Sequence, residues 1–193
     1  MNRLFRLLTV SLLALCVTGT SANQKSNKKP AAKPPVLRAN YVIAVTDDMV
    51  VNVYLNGKAI PDSKRSLLAD KYGASAEKMD IPVHKGDWIV FNIVNNRLRW
   101  GGAYYFAVAG CFEKDEFGFV SNLNTGDWSA CDTTHDVDRF IAEKTYFQSH
   151  HAKAITRVWG DGDNMIRSFA GSSWQGTPLW GSSRNTWVKV IVP

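Results

Sequence analysis

The densest set of side chains able to hold a ligand lies at 95–102, NNRLRWGG. Asn95, Asn96, Arg97, Arg99 and Trp100 place two amides, two guanidinium groups and an indole at the end of an apolar run. Amides and guanidinium groups donate to hydroxyl oxygens, and an indole offers a flat apolar face with one polar N–H. That combination suits a sugar ring, which is apolar on its C–H faces and polar at its edge. Loops carried on a rigid scaffold are where such groups commonly serve. The competing reading is a polar hairpin loop with Trp100 folded back over the core.

The remaining tryptophans divide by context. Trp88 and Trp187 sit inside strand-like patterns and read as core. Trp128, Trp174 and Trp180, like Trp100, sit beside Gly, Ser or Asn and read as candidates for a binding face. Trp159 opens the acidic stretch WGDGDN, which resembles a fragment of a calcium loop. It lacks the later bidentate Glu of an EF-hand, and a turn is the better reading.

Catalytic patterns are weak. His150 and His151 are adjacent, and neighbours on a strand point to opposite faces, so they rarely share a metal. His84 and His135 stand apart from them, and the spacing offers no set of three or four zinc ligands. The cluster EKDE at 113–116 reads as a solvated turn. No nucleophile elbow, phosphate loop or dinucleotide fingerprint occurs.

Residues 1–22 have the form of a secretory signal. Arg3 and Arg6 precede an apolar stretch at 7–17, and Thr20-Ser21-Ala22 offers small residues for cleavage. A lipobox-like alternative around Cys16 has Leu15 where a small residue is wanted. Residues 23–38 are polar, basic and proline-rich, a composition expected to form a disordered linker. Its charge suits weak contact with an anionic surface. No later stretch is long and apolar enough to span a membrane as a helix. Loss of the signal removes Cys16 and leaves Cys111 and Cys131, an even number in an exported chain. A disulfide between them is the expectation, worth about 3 kcal/mol in the chain-entropy model, against two separately buried thiols.

The net charge of +6 is misleading. Seven of the 23 basic residues lie in 1–38, which has no acids; 16 remain against 17 acids in 39–193. A nucleic-acid footprint needs its charge on the folded domain, so nucleic acid is not an expected partner.

The elements that must position these groups read as one domain over 39–193. Strand patterns occur at 41–46, 49–55, 80–83, 87–94, 103–112, 117–120, 154–159 and 186–192. The run at 103–112, AYYFAVAGCF, suggests a strand buried on both faces. Asn56-Gly57 between apolar runs signals a hairpin with a type I′ turn. Helical patterns fall at 63–72, ending before Gly73, and at 136–148, where Thr133 and Asp136 fit a capping box. Many short strands with turn signals predict an all-β fold, an antiparallel β-sandwich with one or two short helices.

Three runs carry a resemblance: TDDMVVNVYLNGK, KGDWIVFNIVNN and GGAYYFAVAG. They resemble the galactose-binding-like jelly-roll domains of secreted glycosidases and adhesins, over about 39–112, with a weaker likeness at 171–187. The resemblance implies a jelly-roll sandwich that binds carbohydrate or a cell-surface glycan. It extends to the sugar-binding sandwich of fungal flocculins, where two consecutive aspartates hold a calcium ion that also contacts the sugar. Asp47 and Asp48 occupy the matching positions, which implies calcium as a possible cofactor. The alternative is a polar turn, since two carboxylates supply only part of the six to eight oxygens calcium wants. The resulting expectation is a secreted, non-catalytic carbohydrate-binding module. A structural or protein–protein interaction domain is the first alternative, and a small carbohydrate-active enzyme the second.

Overall fold

A computed structural model describes residues 34–71, 73–95, 104–147, 151–155 and 162–193. Two five-stranded antiparallel sheets, with strands numbered along the chain, form most of it. The first runs β10 (Glu116–Val120), β9 (Phe106–Glu113), β2 (Tyr41–Asp47), β6 (Ala74–Met79), β5 (Arg65–Lys71). The second runs β11 (Asp127–Cys131), β14 (Asn185–Ile191), β8 (Trp88–Val94), β3 (Met49–Leu55), β4 (Lys58–Ala59). Two short ribbons pair β1 (Leu37–Ala39) with β7 (Val83–His84), and β12 (Lys153–Ala154) with β13 (Leu179–Trp180). The helices are α1 (Val137–Ala142) and α2 (Gly162–Ala170). The expected all-β sandwich with short helices is the observed architecture.

Strand periodicity sorts the core into layers. On β2, Val42 and Ala44 point between the sheets, while Ile43 and Val45 point outward. On β9, Phe106 and Val108 point inward and Ala107, Ala109 and Cys111 outward, as does Tyr105 just before the strand. Ile89, Phe91, Ile93, Val188 and Val190 of the second sheet meet them in the central core. The outer face of the first sheet is covered by Ile166 and Ala170 of α2, together with Trp174. Both faces of β9 are therefore covered, and its continuous apolar run follows. Each such buried side chain contributes about 1.5–3 kcal/mol relative to exposure.

The Asn-Gly hairpin and the Lys-Gly-Asp turn clasp each other. Asn56 and Gly57 take φ of 52° and 77°, the positive values a type I′ turn needs. Asn56 donates its amide to Asp87 Oδ1 at 2.9 Å and accepts from the Trp88 backbone N–H at 3.0 Å. Asp87 Oδ2 also accepts from the His84 N–H at 2.7 Å. These motif residues hold two turns together, which is structural work.

Three expectations need correction. Residues 65–71 form the edge strand β5, preceded by a 3-10 turn at Asp62–Lys64, where a helix was expected. Gly73, at φ 84°, turns β5 into β6 and ends no helix. The end of the acidic stretch WGDGDN, read as a turn, opens helix α2 at Gly162, and Gly162, Ile166 and Ala170 recur at helical spacing and are buried. The third correction is the disulfide. Cys111 and Cys131 are both free and buried. Cys111 lies under α2 on the outer face of the first sheet, and Cys131 beside Phe140 on the outer face of the second. The central core lies between them, and sheets pack about 10 Å apart, beyond the reach of an S–S bond.

The α1 expectation holds in part. The cap is Asp136 in place of the expected Thr133, its carboxylate accepting from the Arg139 N–H at 3.0 Å, and the helix runs only from Val137 to Ala142. Among the described residues no helix is long and apolar enough to cross a membrane.

Candidate functional site at the rim of the sandwich

At one rim of the sandwich, Asp47 ends β2, Asp48 forms the turn into β3, and Asn95 follows β8. A side-chain bond joins the two sheets here: Asn95 Nδ2 donates to Asp47 Oδ2 at 2.6 Å. Backbone bonds fix both partners. The Asp47 N–H donates to the Tyr105 carbonyl at 2.8 Å, and the Asn95 N–H to the Arg184 carbonyl at 2.8 Å. Asp48 takes a positive φ of 79°, and its N–H donates to the Gly73 carbonyl. Asp and Asn tolerate this left-handed region better than most residues, so the acidic pair also satisfies a demand of the turn.

The electrostatics distinguish the two aspartates. Burial, and then the neighbouring Asp48 charge, push the Asp47 carboxyl up to about 6, partly offset by the Asn95 amide. Asp48 itself is 1 % exposed. The rim therefore presents one half-buried carboxylate that can accept hydroxyl hydrogens, held by an amide of complementary polarity. Thr46 and Tyr105 continue the network inward. The Thr46 hydroxyl donates to the Tyr105 carbonyl at 3.1 Å, and the Tyr105 phenol to Asp163 Oδ1 at 3.0 Å.

Calcium fits this donor set poorly. Asn95 turns its nitrogen, not its oxygen, toward Asp47. Among the described residues no three His, Cys, Asp or Glu side chains gather as metal ligands. Two carboxylates remain well short of six to eight oxygens.

The tryptophans reverse their expected roles. Trp128, Trp174 and Trp180 are buried, at 1 %, 1 % and 3 % exposure, and have no free face for a sugar. Trp128 alternates inward on β11, Trp174 lies between α2 and the first sheet, and Trp180 stands on β13. The Trp174 indole N–H donates to the Val108 carbonyl at 3.2 Å, and that of Trp180 to the Ser183 carbonyl at 2.8 Å. Neighbouring Gly and Ser residues had suggested open loops; Gly176 instead sits against the Trp174 ring, where a Cβ would come within 2.3 Å. Trp88 and Trp187, expected in the core, lie half-buried on the outer face of the second sheet. The Trp88 indole N–H donates to the Ile141 carbonyl at 3.0 Å.

Asn96, Arg97, Arg99 and Trp100 lie outside the described residues, as do His150 and Trp159. Of the expected ligand set, Asn95, Asp47 and Asp48 are brought together. The backbone partners Gly73 and Arg184 complete the rim through their carbonyls, and no side-chain type in the sequence marks them for that role. No family model, curated protein or solved structure matches this chain.

Proposed function

We propose that this protein is an exported, non-catalytic carbohydrate-binding module of the galactose-binding-like kind. The observation that supports this reading most is the Asp47–Asn95 pair, 2.6 Å apart. It holds the half-buried Asp47 carboxylate, at the end of β2, on the amide of Asn95, itself 5 % exposed and just past β8 of the other sheet, so the acceptor is in place before a ligand arrives. Preorganised polar groups of this kind limit the ordering cost of binding. In sequence, Asn95 leads directly into Asn96, Arg97, Arg99 and Trp100, the donors and the indole suited to a sugar. The signal-like residues 1–22 support export.

A glycan-array screen of the full chain, run with calcium and again with chelator, tests the reading. Binding to a defined glycan class, lost in Asp47→Asn, is the expected result in both conditions. Silence from a folded sample overturns it. One observation favours the interaction-domain alternative: Leu67, on the edge strand β5, is 63 % exposed. Edge strands with exposed apolar side chains pair readily with other chains.

A further inference from the structure

Away from the rim, the edge of the first sheet carries a cleft of about 390 Å³ beside β10. Arg38, Phe117, Thr125, Ser173, Gln175 and Pro193 contribute to its walls. These residues come from five parts of the chain: β1, β10, the connection to β11, the segment after α2 and the segment after β14. Gly118 makes the arrangement possible. A Cβ there would lie 1.5 Å from the Arg38 carbonyl oxygen, so only glycine lets the β1 backbone cross β10 at this point.

Arg38 is a cation without a counterion in this place. Its Nη2 donates to the Gly118 carbonyl at 2.5 Å, and its buried Nε has no acceptor. Among the described residues no carboxylate forms an ion pair with it. The nearby Asp115 carboxylate is occupied, accepting from the Ser173 N–H at 2.9 Å and the Ser173 hydroxyl at 3.0 Å. A half-buried guanidinium gains most from an anionic partner that matches its planar donors.

We infer that this cleft binds a carboxylated sugar, a uronic-acid residue of an acidic glycan. The carboxylate meets Arg38, and the C–H face of the ring packs on Phe117 and Pro193. The hydroxyls reach Thr125, Gln175 and the Ser173 oxygen. The volume lies within the range of small-ligand clefts and matches one or two sugar residues. The inference takes its ligand class from the carbohydrate reading above and its site from a separate set of residues.

The test is a calorimetric titration of the full chain with a galacturonate oligomer, its neutral galactose counterpart and acetate. Arg38→Gln, Gln175→Ala and Asp47→Asn are run beside the wild type. The galacturonate oligomer is expected to bind, with Arg38→Gln weakening it by about tenfold or more, as loss of a charged hydrogen bond implies. Gln175→Ala, at an exposed position, is expected to weaken it severalfold at unchanged Tm, which keeps the test valid should Arg38→Gln disturb the β1 crossing. Equal binding of the neutral oligomer or of acetate overturns the assignment, as does wild-type affinity in both variants. Failure here with intact, Asp47-dependent glycan-array binding removes the cleft and leaves the proposed function standing. Silence of the chain toward every glycan removes both.

Discussion

Lys189 of β14 points its ammonium at the face of Phe140 on α1, 4.1 Å from the ring centroid. The same Nζ donates to the Glu143 carbonyl at 2.7 Å and the Tyr146 carbonyl at 3.1 Å. One buried cation thus fastens α1 and the turn after it to the outer face of the second sheet. Lys189→Met keeps the stem and removes the donors, leaving the carbonyls unpaired. It is expected to destabilise the protein by about 2 kcal/mol and to speed amide exchange across 137–147, read by hydrogen-exchange mass spectrometry. Wild-type exchange in that segment would refute the fastening role.

The same residue sets a pH signature. Burial pulls the Lys189 amine down to about 8, against the opposing influence of Cys131 and Glu143. The folded state therefore binds fewer protons than the unfolded state between about 8 and 10.5, and this residue's contribution to stability rises with pH across that window. The stability difference between wild type and Lys189→Met is expected to grow from pH 8 to pH 10, measured by denaturant unfolding. A flat difference counts against it.

Asp47 acts in the opposite direction. Its carboxyl is raised to about 6, so the folded state holds the proton longer than the unfolded state does. Stability from this group falls as pH rises from about 4 to 6 and is level above that. Asp47→Asn is expected to flatten the slope in that window and to be as stable as wild type, or more so, at pH 7. Glycan binding that uses the ionised carboxylate should strengthen as pH passes 6 and lose that dependence in the variant. An unchanged pH profile would show that Asp47 does not titrate there.

The cysteines give a direct chemical check. Burial pushes both the Cys111 and the Cys131 thiols up to about 12, aided at Cys131 by the Asp132 charge. Thiolate is the reactive form, so neither should react in the native protein at pH 8. After denaturation without reductant, peptide mapping should find both residues alkylated. A disulfide-linked peptide containing the two would overturn the arrangement.

For Trp174, truncation tests position against function. Buried on both sides and donating to Val108, it should cost about 3–5 kcal/mol when changed to Ala. Its loss should therefore appear in the melting curve before it appears in any binding assay. A Trp174→Ala protein with wild-type Tm and no glycan binding would restore the sugar-stacking reading.

Much of the fold was legible because the signals were local. Asn56-Gly57 specifies its turn by dihedral tolerance, and β9 its double burial by an unbroken apolar run. The misreadings arose where neighbours distant in sequence decide the outcome. SKRSLLADKY contains good helix formers, yet β6 offers its residues 65–71 a ladder of partners, and pairing overrides propensity. Trp128 and Trp174 sit beside small residues whose smallness serves close packing, which looks the same in sequence as an open loop. Arg38 was counted with the basic leader, since only the crossing at Gly118 separates it from that run. At the rim, Asp47 and Asn95 were both visible as candidates, but their contact spans 48 positions and belongs to the topology.

The position of β14 has a consequence for when this chain can fold. It lies between β11 and β8, in register from Asn185 opposite Val94 to Ile191 opposite Trp88. Until the ribosome has made residue 191, the second sheet lacks a central strand, and Ile89, Phe91 and Ile93 have no complete layer to enter. Synthesis proceeds at about 5–20 residues per second, so most of the polypeptide waits seconds for its partner. A nascent chain held open in this way stays threadable, the condition a translocation channel for unfolded polypeptides requires.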